Sequence, residues 1–360
     1  MDDDTPMATD LETPDLETPS TPISTTFIPP SINRPALLAG DSYTYFSPVP
    51  PSLLVPITTD TTTDTTTSPG AATSTLPPCA LGIDEAGRGP VLGPMIYGTF
   101  YLPLPLSTPL LRTTHHFDDS KVLTPSFRAS LLATLCTPST ALHASCGWAI
   151  ASLSARDISS GMLRPSAYNL NAQAFDATVS LIRGVLDRGV NVTEVYVDTV
   201  GQPEAYQRRL EREFPALRVT VAKKADSLYP CVSAASVCAK VTRDVALEVL
   251  WEQRGGEPGE PGWGSGYPSD GRCSGWLRGN MHPVFGWRGA ECRASWGTAK
   301  DMLEAKKGKG GGVGVEWPVE EGEEGSHRVT DFFSAAMEDE EEGWDELGTW
   351  FGRPAGVEAF

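Results

Sequence analysis

The stretch Leu81-Gly82-Ile83-Asp84-Glu85-Ala86-Gly87-Arg88-Gly89-Pro90 decides how this chain is read. An apolar run with the texture of a β-strand leads straight into two adjacent carboxylates and then a Gly-Arg-Gly turn. Glycines after a strand can cradle a pyrophosphate, so a dinucleotide fingerprint is the first comparison. Here they fall as Gly87-x-Gly89-x-x-x-Gly93, one residue too long, and Pro90 interrupts the spacing. Two acids ahead of the turn would also repel a phosphate unless a cation stood between. That condition points to metal. Hard divalent ions such as Mg2+ take carboxylate oxygens and leave open positions for phosphate oxygens.

Two further acids suit the same chemistry. Asp198 ends the run Val195-Tyr196-Val197-Asp198. With a side-chain period of two, Val195 and Val197 face one side, and Tyr196 and Asp198 the other. Aspartates on neighbouring strands can come close enough to share a metal site. Asp226, in Lys223-Lys224-Ala225-Asp226, precedes a helix expected to open at Pro230. Its other reading is a carboxylate favoured by the positive end of that helix. For Asp84 with Glu85 the plain alternative is a surface turn pair, and the apolar strand that pins them argues against it.

Charge is unevenly placed. The 360 residues carry a net charge of -18, which taken whole argues against a polyanionic partner. Residues 1–77 hold ten acids and one base (Arg34), and residues 316–360 hold fourteen acids and two bases (Arg328, Arg353). Between them, 22 acids meet 25 bases, net +3, so a nucleic-acid substrate for the middle stays open. Other classes fall away. No stretch approaches the roughly 20 apolar residues that span a bilayer, so no membrane association is expected. The start, MDDDTP, lacks the basic and apolar regions of a secretory signal or the Arg-rich face of a transit peptide. Seven cysteines without C-x-x-C spacing suit reduced thiols in the cytosol or nucleus and offer no zinc site. The five histidines have no metal-ligand spacing either.

Residues 1–77 are about half Ser, Thr and Pro (39 of 77), a composition that buries too little apolar surface to order itself. The segment is expected to be disordered. From 78 to about 305, β-rich and helical runs alternate. CGWAIASL (146–153) and EVYVDTVG (194–201) read as strands. Residues 168–189 have helical spacing, with Gly189 as the stop signal. A second helix is expected from Cys231 to about Trp251, with Val237, Val241, Val245 and Val249 at four-residue steps. Interleaving of this kind gives one α/β domain. Past 305 come a basic glycine-rich linker and an acidic tail. Ser233, Ser236 and Cys238 lie on an apolar helix without a nucleophile elbow, so covalent catalysis is disfavoured. Lys240 and Arg243 on that helix are candidate phosphate contacts, a solvated helix face being the alternative. Trp263, Trp276, Trp287 and Trp296 are expected to pack in the core, with base stacking as the other reading.

These residues resemble a known family. DEAGRGPVLGPM (84–95) is similar to the first motif of type 2 ribonucleases H, the ribonuclease HII family, and above all to its eukaryotic catalytic A-type chain. Asp119-Ser120-Lys121, NVTEVYVDTVG (191–201), KKADSLYPCVSAASVCAKVTRD (223–244), GSGYPSD (264–270) and Pro283-Val284-Phe285-Gly286 match in order. The resemblance spans about 78–305. It departs at Asp118, in the Gly/Pro-rich stretch from Glu257 to Gly262, and in the glycine-rich 271–281, where loop geometry is expected to differ.

The resemblance implies an α/β, ribonuclease H-like core with a mixed central β-sheet flanked by helices, followed by a helical C-terminal part. Its four metal-binding acids fall on Asp84, Glu85, Asp198 and Asp226, the acids reached above from chemistry. Gly87, Arg88 and Gly89 match the loop whose backbone contacts ribose 2′-hydroxyls, Tyr267 the tyrosine at the ribonucleotide–DNA junction, and Ser120 and Lys121 a segment near the phosphates. Two divalent ions, Mg2+ or alternatively Mn2+, are implied, with Asp84 bridging them. The implied activity is endonucleolytic: cutting RNA in RNA/DNA hybrids and cutting 5′ of ribonucleotides embedded in duplex DNA. The implied setting is the nucleus, with some cytoplasmic protein, in DNA replication, primer removal, mismatch repair and ribonucleotide excision. Partners would be two non-catalytic subunits, B and C, of a heterotrimer. Two rivals remain: a four-carboxylate 3′–5′ exonuclease, which would want a D-x-E first motif, and a silent scaffold subunit, which loss of any of the four acids would favour. In the tail, Val329, Phe332 and Phe333 have the spacing of a sliding-clamp-binding peptide, with Ser326 where glutamine is expected. Docking on a partner subunit or on the core is the alternative.

Overall fold

The computed structural model describes residues 27–58, 74–117 and 123–304, apart from 165, 167, 200, 258, 259, 261 and 288. All of these belong to the first of the two units, 1–313 and 314–360, into which the chain divides. The chain opens with α1 (Arg34–Ala39), β1 (Tyr43–Phe46), and two short paired strands, β2 (Ile57–Thr58) and β3 (Ser74–Thr75). Next come β4 (Cys79–Ala86), β5 (Met95–Pro103), α2 (Pro125–Cys136), α3 (Ala141–Ser145), β6 (Gly147–Leu153) and α4 (Ala155–Met162). Then follow α5 (Leu170–Leu186), β7 (Val192–Asp198), α6 (Pro203–Glu213), β8 (Arg218–Ala222), α7 (Ala225–Leu228) and α8 (Pro230–Gln253). The described part ends with α9 (Gly271–Gly279) and α10 (Gly297–Glu304).

A mixed six-stranded sheet in the order β1-β6-β5-β4-β7-β8 forms the centre. The β1–β6, β6–β5 and β5–β4 pairs are antiparallel, while β4–β7 and β7–β8 are parallel. Helices cover both faces of β4, which is why its sequence reads as a continuous apolar run rather than an alternation. Leu81 and Ile83 join one core with Tyr97, Val195, Val197 and Phe175. Ala80 and Ala86 join another with Ile96, Phe100, Val232 and Ala235. On this second face α8 lies directly against the strands. A Cβ on Gly82 would stand 2.3 Å from the Cys231 carbonyl carbon, and one on Gly98 would stand 2.4 Å from the Ala235 oxygen. Small residues at four-residue steps, Cys231, Ala235 and Ala239, form the contacting face, and the first half of α8 is accordingly buried almost all round.

A third core joins the second half of α8 to α9 and α10. Trp263 is buried in it, and Trp276, Trp287 and Trp296 pack against it, so the late tryptophans are structural. Among the described residues no helix is long and apolar enough to cross a membrane.

Three expectations are corrected. Disorder over 1–77 fails for 27–58: β1 pairs with β6 along the whole of Tyr43–Phe46, and Leu37 and Leu53 are buried. The strand expected over 194–201 runs Val192–Asp198, ending at the acid. The glycine-rich 271–281, read as a departure in loop geometry, contains α9, capped by the Asp270 carboxylate, which accepts from the Arg272 N–H at 3.0 Å. Cys273 and Leu277 anchor that helix in the third core, and this burial outweighs the poor helix propensity of its glycines.

Candidate active site

Asp84 and Glu85 end β4 and point to opposite faces, Asp84 toward α8 and Glu85 toward α5. In the parallel β4–β7 pair, Gly82 lies opposite Tyr196 and Ile83 opposite Val197. One further step places Asp84 alongside Asp198. Asp198 lies opposite Ala222 of β8 and accepts the Ala225 N–H at 2.7 Å. Between them Lys224 takes a left-handed conformation (φ 57°), turning the chain into α7, where Asp226 is 3% exposed. Ser236, on the part of α8 that covers the sheet, hydrogen-bonds Asp84, and the Glu85 N–H donates to the same carboxylate at 2.7 Å. Ser236 thus supports an acid, a role that reading it as a possible nucleophile did not reveal.

Burial pushes the Asp84 carboxyl well above the usual carboxylate range, and the charges of Glu85 and Asp198 add to this. Burial also raises Glu85, to about 7, against the pull of Arg88 and with a further push from Asp198. Glu85 and Asp198 are therefore close enough to Asp84 to raise it, and Asp198 is close enough to Glu85 to do the same. No three His, Cys, Asp or Glu side chains among the described residues already converge in a geometry that would hold an ion. The donor set nevertheless fits a divalent cation. It is all oxygen, desolvated, and destabilised by its own charge, and a hard cation relieves all of this.

The Gly-Arg-Gly turn is held from behind. Arg293, fully buried, donates to three backbone carbonyls: Gly87 at 2.6 Å, Arg88 at 3.0 Å and Gly93 at 3.0 Å. Its guanidinium stacks 4.7 Å from the Trp296 ring centroid, and the Trp296 indole N–H donates to the Gly89 carbonyl at 2.9 Å. Burial and the neighbouring Arg243 lower the Arg293 pKa to about 9, which leaves it charged at neutral pH. With its carbonyls drawn inward, the turn is anchored on its inner side. Gly87 (φ 81°) has no room for a side chain, because a Cβ would meet the Arg243 side chain at 2.5 Å. At Gly89 a Cβ would stand 2.8 Å from the Tyr267 ring. Tyr267, 44% exposed, therefore lies against the turn. The Val91 N–H, donating to the Gly266 carbonyl at 3.0 Å, ties the two loops together.

Sequence reasoning missed Arg293, and it read Trp296 for core packing or base stacking rather than as an anchor of the turn. The one available signal was a late Arg-x-x-Trp pair with no local role. Arg243 is corrected as a phosphate contact: it is 9% exposed, donates to the Ser265 carbonyl at 3.0 Å and lies beside Asp244. Its place is under the Tyr267 loop. Lys240 is half-buried on the same helix. Ser120, Lys121, Val329, Phe332 and Phe333 lie outside the described residues.

Acids at the ends of adjacent strands of a mixed sheet, under a helix laid across it, define a ribonuclease H-like enzyme. The Ribonuclease HII family model matches residues 81–299, and the chain belongs to that family. It is a ribonuclease H, a hydrolase. It is 60% identical over 337 residues to the A-type chain of ribonuclease H2 from Neurospora crassa, covering 93% of this chain and 97% of that one. To the Homo sapiens protein of the same name it is 44% identical over 268 residues, covering 74% and 85%. The crystal structure of the ribonuclease H2 from Pyrococcus horikoshii OT3 aligns with a TM-score of 0.50 and 29% identity, covering 62% of this chain and 96% of that one.

Proposed function

We propose that this chain is an endonuclease that cuts RNA in RNA/DNA hybrids and cuts 5′ of single ribonucleotides in duplex DNA. The observation that carries the reading is the juxtaposition of Asp84, Glu85 and Asp198 at the strand ends, beside a glycine turn covered by Tyr267. Asp84, Glu85, Asp198 and Asp226 would hold two divalent ions, Mg2+ or Mn2+. When bound, such ions make water a competent nucleophile at neutral pH and neutralise charge on the departing oxygen. The protein's own contribution is placement. Ser236 and the Glu85 N–H orient Asp84, and the Ala225 N–H orients Asp198. Arg293 and Trp296 fix the turn on which the 2′-hydroxyl would be read, the group that separates RNA from DNA. Tyr267 supplies a ring for the sugar or base and a hydroxyl to read it. Products would carry 3′-hydroxyl and 5′-phosphate ends.

The relatives are named as one subunit, which supports a multi-subunit complex; the proposed form is a heterotrimer with two non-catalytic subunits, B and C. The complex would work in the nucleus, with some in the cytoplasm, during replication, primer removal, mismatch repair and ribonucleotide excision. Val329, Phe332 and Phe333 are proposed to dock on a partner, either one of those subunits or a sliding clamp. The test is purified full-length protein, with and without the partner subunits, on a duplex carrying one ribonucleotide plus Mg2+. A single internal cut 5′ of the ribonucleotide is expected. End-dependent shortening would favour the exonuclease reading, and inactivity with all subunits present would favour the scaffold.

A further inference from the structure

A cavity of about 210 Å3 adjoins the acids on the α5–α6 side of the sheet, opening beside Glu85 and Asp198. Besides these acids it is lined by Arg88, Asn171, Gln202 and Arg209. The Asn171 side-chain oxygen accepts from Arg88, which fixes that amide and leaves its NH2 group to donate elsewhere. The Arg209 guanidinium lies over the Phe175 ring, 3.8 Å from its centroid. Among the described residues no carboxylate pairs with it, whereas Glu213, one turn along α6, is taken by Arg183 of α5. A stacked guanidinium is oriented in advance and loses little entropy on binding, and its fork suits phosphate oxygens.

The cavity is thus divided by charge. Its acids can hold an anion only through cations, and its guanidinium groups can hold one directly. A polynucleotide strand presents both needs one nucleotide apart. We propose that Arg209, with Arg88, Asn171 and Gln202, forms a subsite for the backbone phosphate next to the one that is cut. This rests on the reading of the chain as a nuclease on ribonucleotide-containing duplexes.

The competing role for Arg209 is packing on Phe175. Arg209→Met keeps the apolar stem over the ring and removes the charge, while Arg209→Lys restores a charge. Both are made in the full-length chain carrying Asp84→Asn, so that the duplex is not cut, and binding to DNA with one ribonucleotide is followed by fluorescence anisotropy across a salt series. Each phosphate contact contributes about 0.9 to the slope of log K against log salt. Arg209→Met is expected to bind roughly tenfold more weakly at low salt and to lose about 0.9 of slope, with Arg209→Lys recovering the slope. An unchanged slope in Arg209→Met, or equal losses in the Met and Lys variants, overturns the subsite. The unsubstituted chain, assembled with the partner subunits, is assayed for cleavage in parallel. If it does not cut, the nuclease reading falls and the subsite with it; if it cuts while the Arg209→Met slope is unchanged, the subsite alone falls.

Discussion

At Asp84 two demands would meet: burial, which favours a neutral carboxyl, and the proposed metal ligation, which needs a charged one. Removing the charge satisfies the first and forfeits the second. Asp84→Asn should therefore abolish cleavage while the metal-free protein melts at the same temperature or higher. Near-normal turnover would remove Asp84 from the chemistry, and a collapsed fold would make it structural. Glu85 gives a pH signature of the same origin. Its folded-state pKa stands at about 7 against an ordinary 4.5, so the folded state holds its proton longer than the unfolded chain does. The stability this gives is fully present below about 4.5 and is lost as pH rises through about 7. Asp84, also raised, acts in the same direction. In chelator, the melting temperature should fall across that window, and Glu85→Gln should flatten the fall. An equally steep profile in the variant would mean that Glu85 is not the group involved.

Among the elements, the Gly-Arg-Gly turn depends on a side chain 206 residues away, the Arg293 guanidinium that collects its carbonyls. Arg293→Met would leave three buried acceptors without that partner, each costing about 1–3 kcal/mol. We expect a loss on the order of 3 kcal/mol or more in stability, and slower turnover at an embedded ribonucleotide, read by thermal melts and single-turnover cleavage. A variant with native stability would show that the turn holds itself. In α9 the glycines work against the helix. A Cβ on Gly275 would meet nothing within 4 Å. Gly275→Ala should therefore stabilise the protein by about 0.5–1 kcal/mol. Destabilisation on denaturant titration would contradict the helical assignment.

Across the whole molecule, residues 27–58 act as a strap that closes the β6 edge of the sheet. Tyr45 packs on Trp148 with ring centroids 5.1 Å apart, the Ser31 and Thr242 hydroxyls meet at 2.8 Å on α8, and Arg34 pairs with Glu252 at 2.9 Å. A chain beginning at residue 78 would lose the buried Leu37 and Leu53, each worth roughly 1.5–3 kcal/mol, and would bare an edge strand that invites aggregation. A markedly lower melting temperature with visible association is expected on truncation. An unchanged melt would reduce the strap to decoration.

The class of enzyme and the class of fold were legible in the amino-acid sequence. The decisive acids follow short apolar strands, and strand period, turn glycines and adjacent carboxylates are local patterns that survive without partners. The long helices α5 and α8 were legible for the same reason, from apolar spacing and their start and stop residues. What lay beyond local pattern was decided in three dimensions. The strap looked disordered because Ser, Thr and Pro dominate its surroundings, and an edge strand draws its order from its neighbour rather than from its own composition. Arg243 looked like a phosphate contact because sequence does not show that α8 turns it inward to the Ser265 carbonyl. Beyond their spacing, Arg293 and Trp296 carried no local sign of this role, since their partners are the carbonyls of a turn some two hundred residues earlier in the chain. Backbone groups are the same at every residue, so which side chain satisfies them is written only in how the chain folds back on itself.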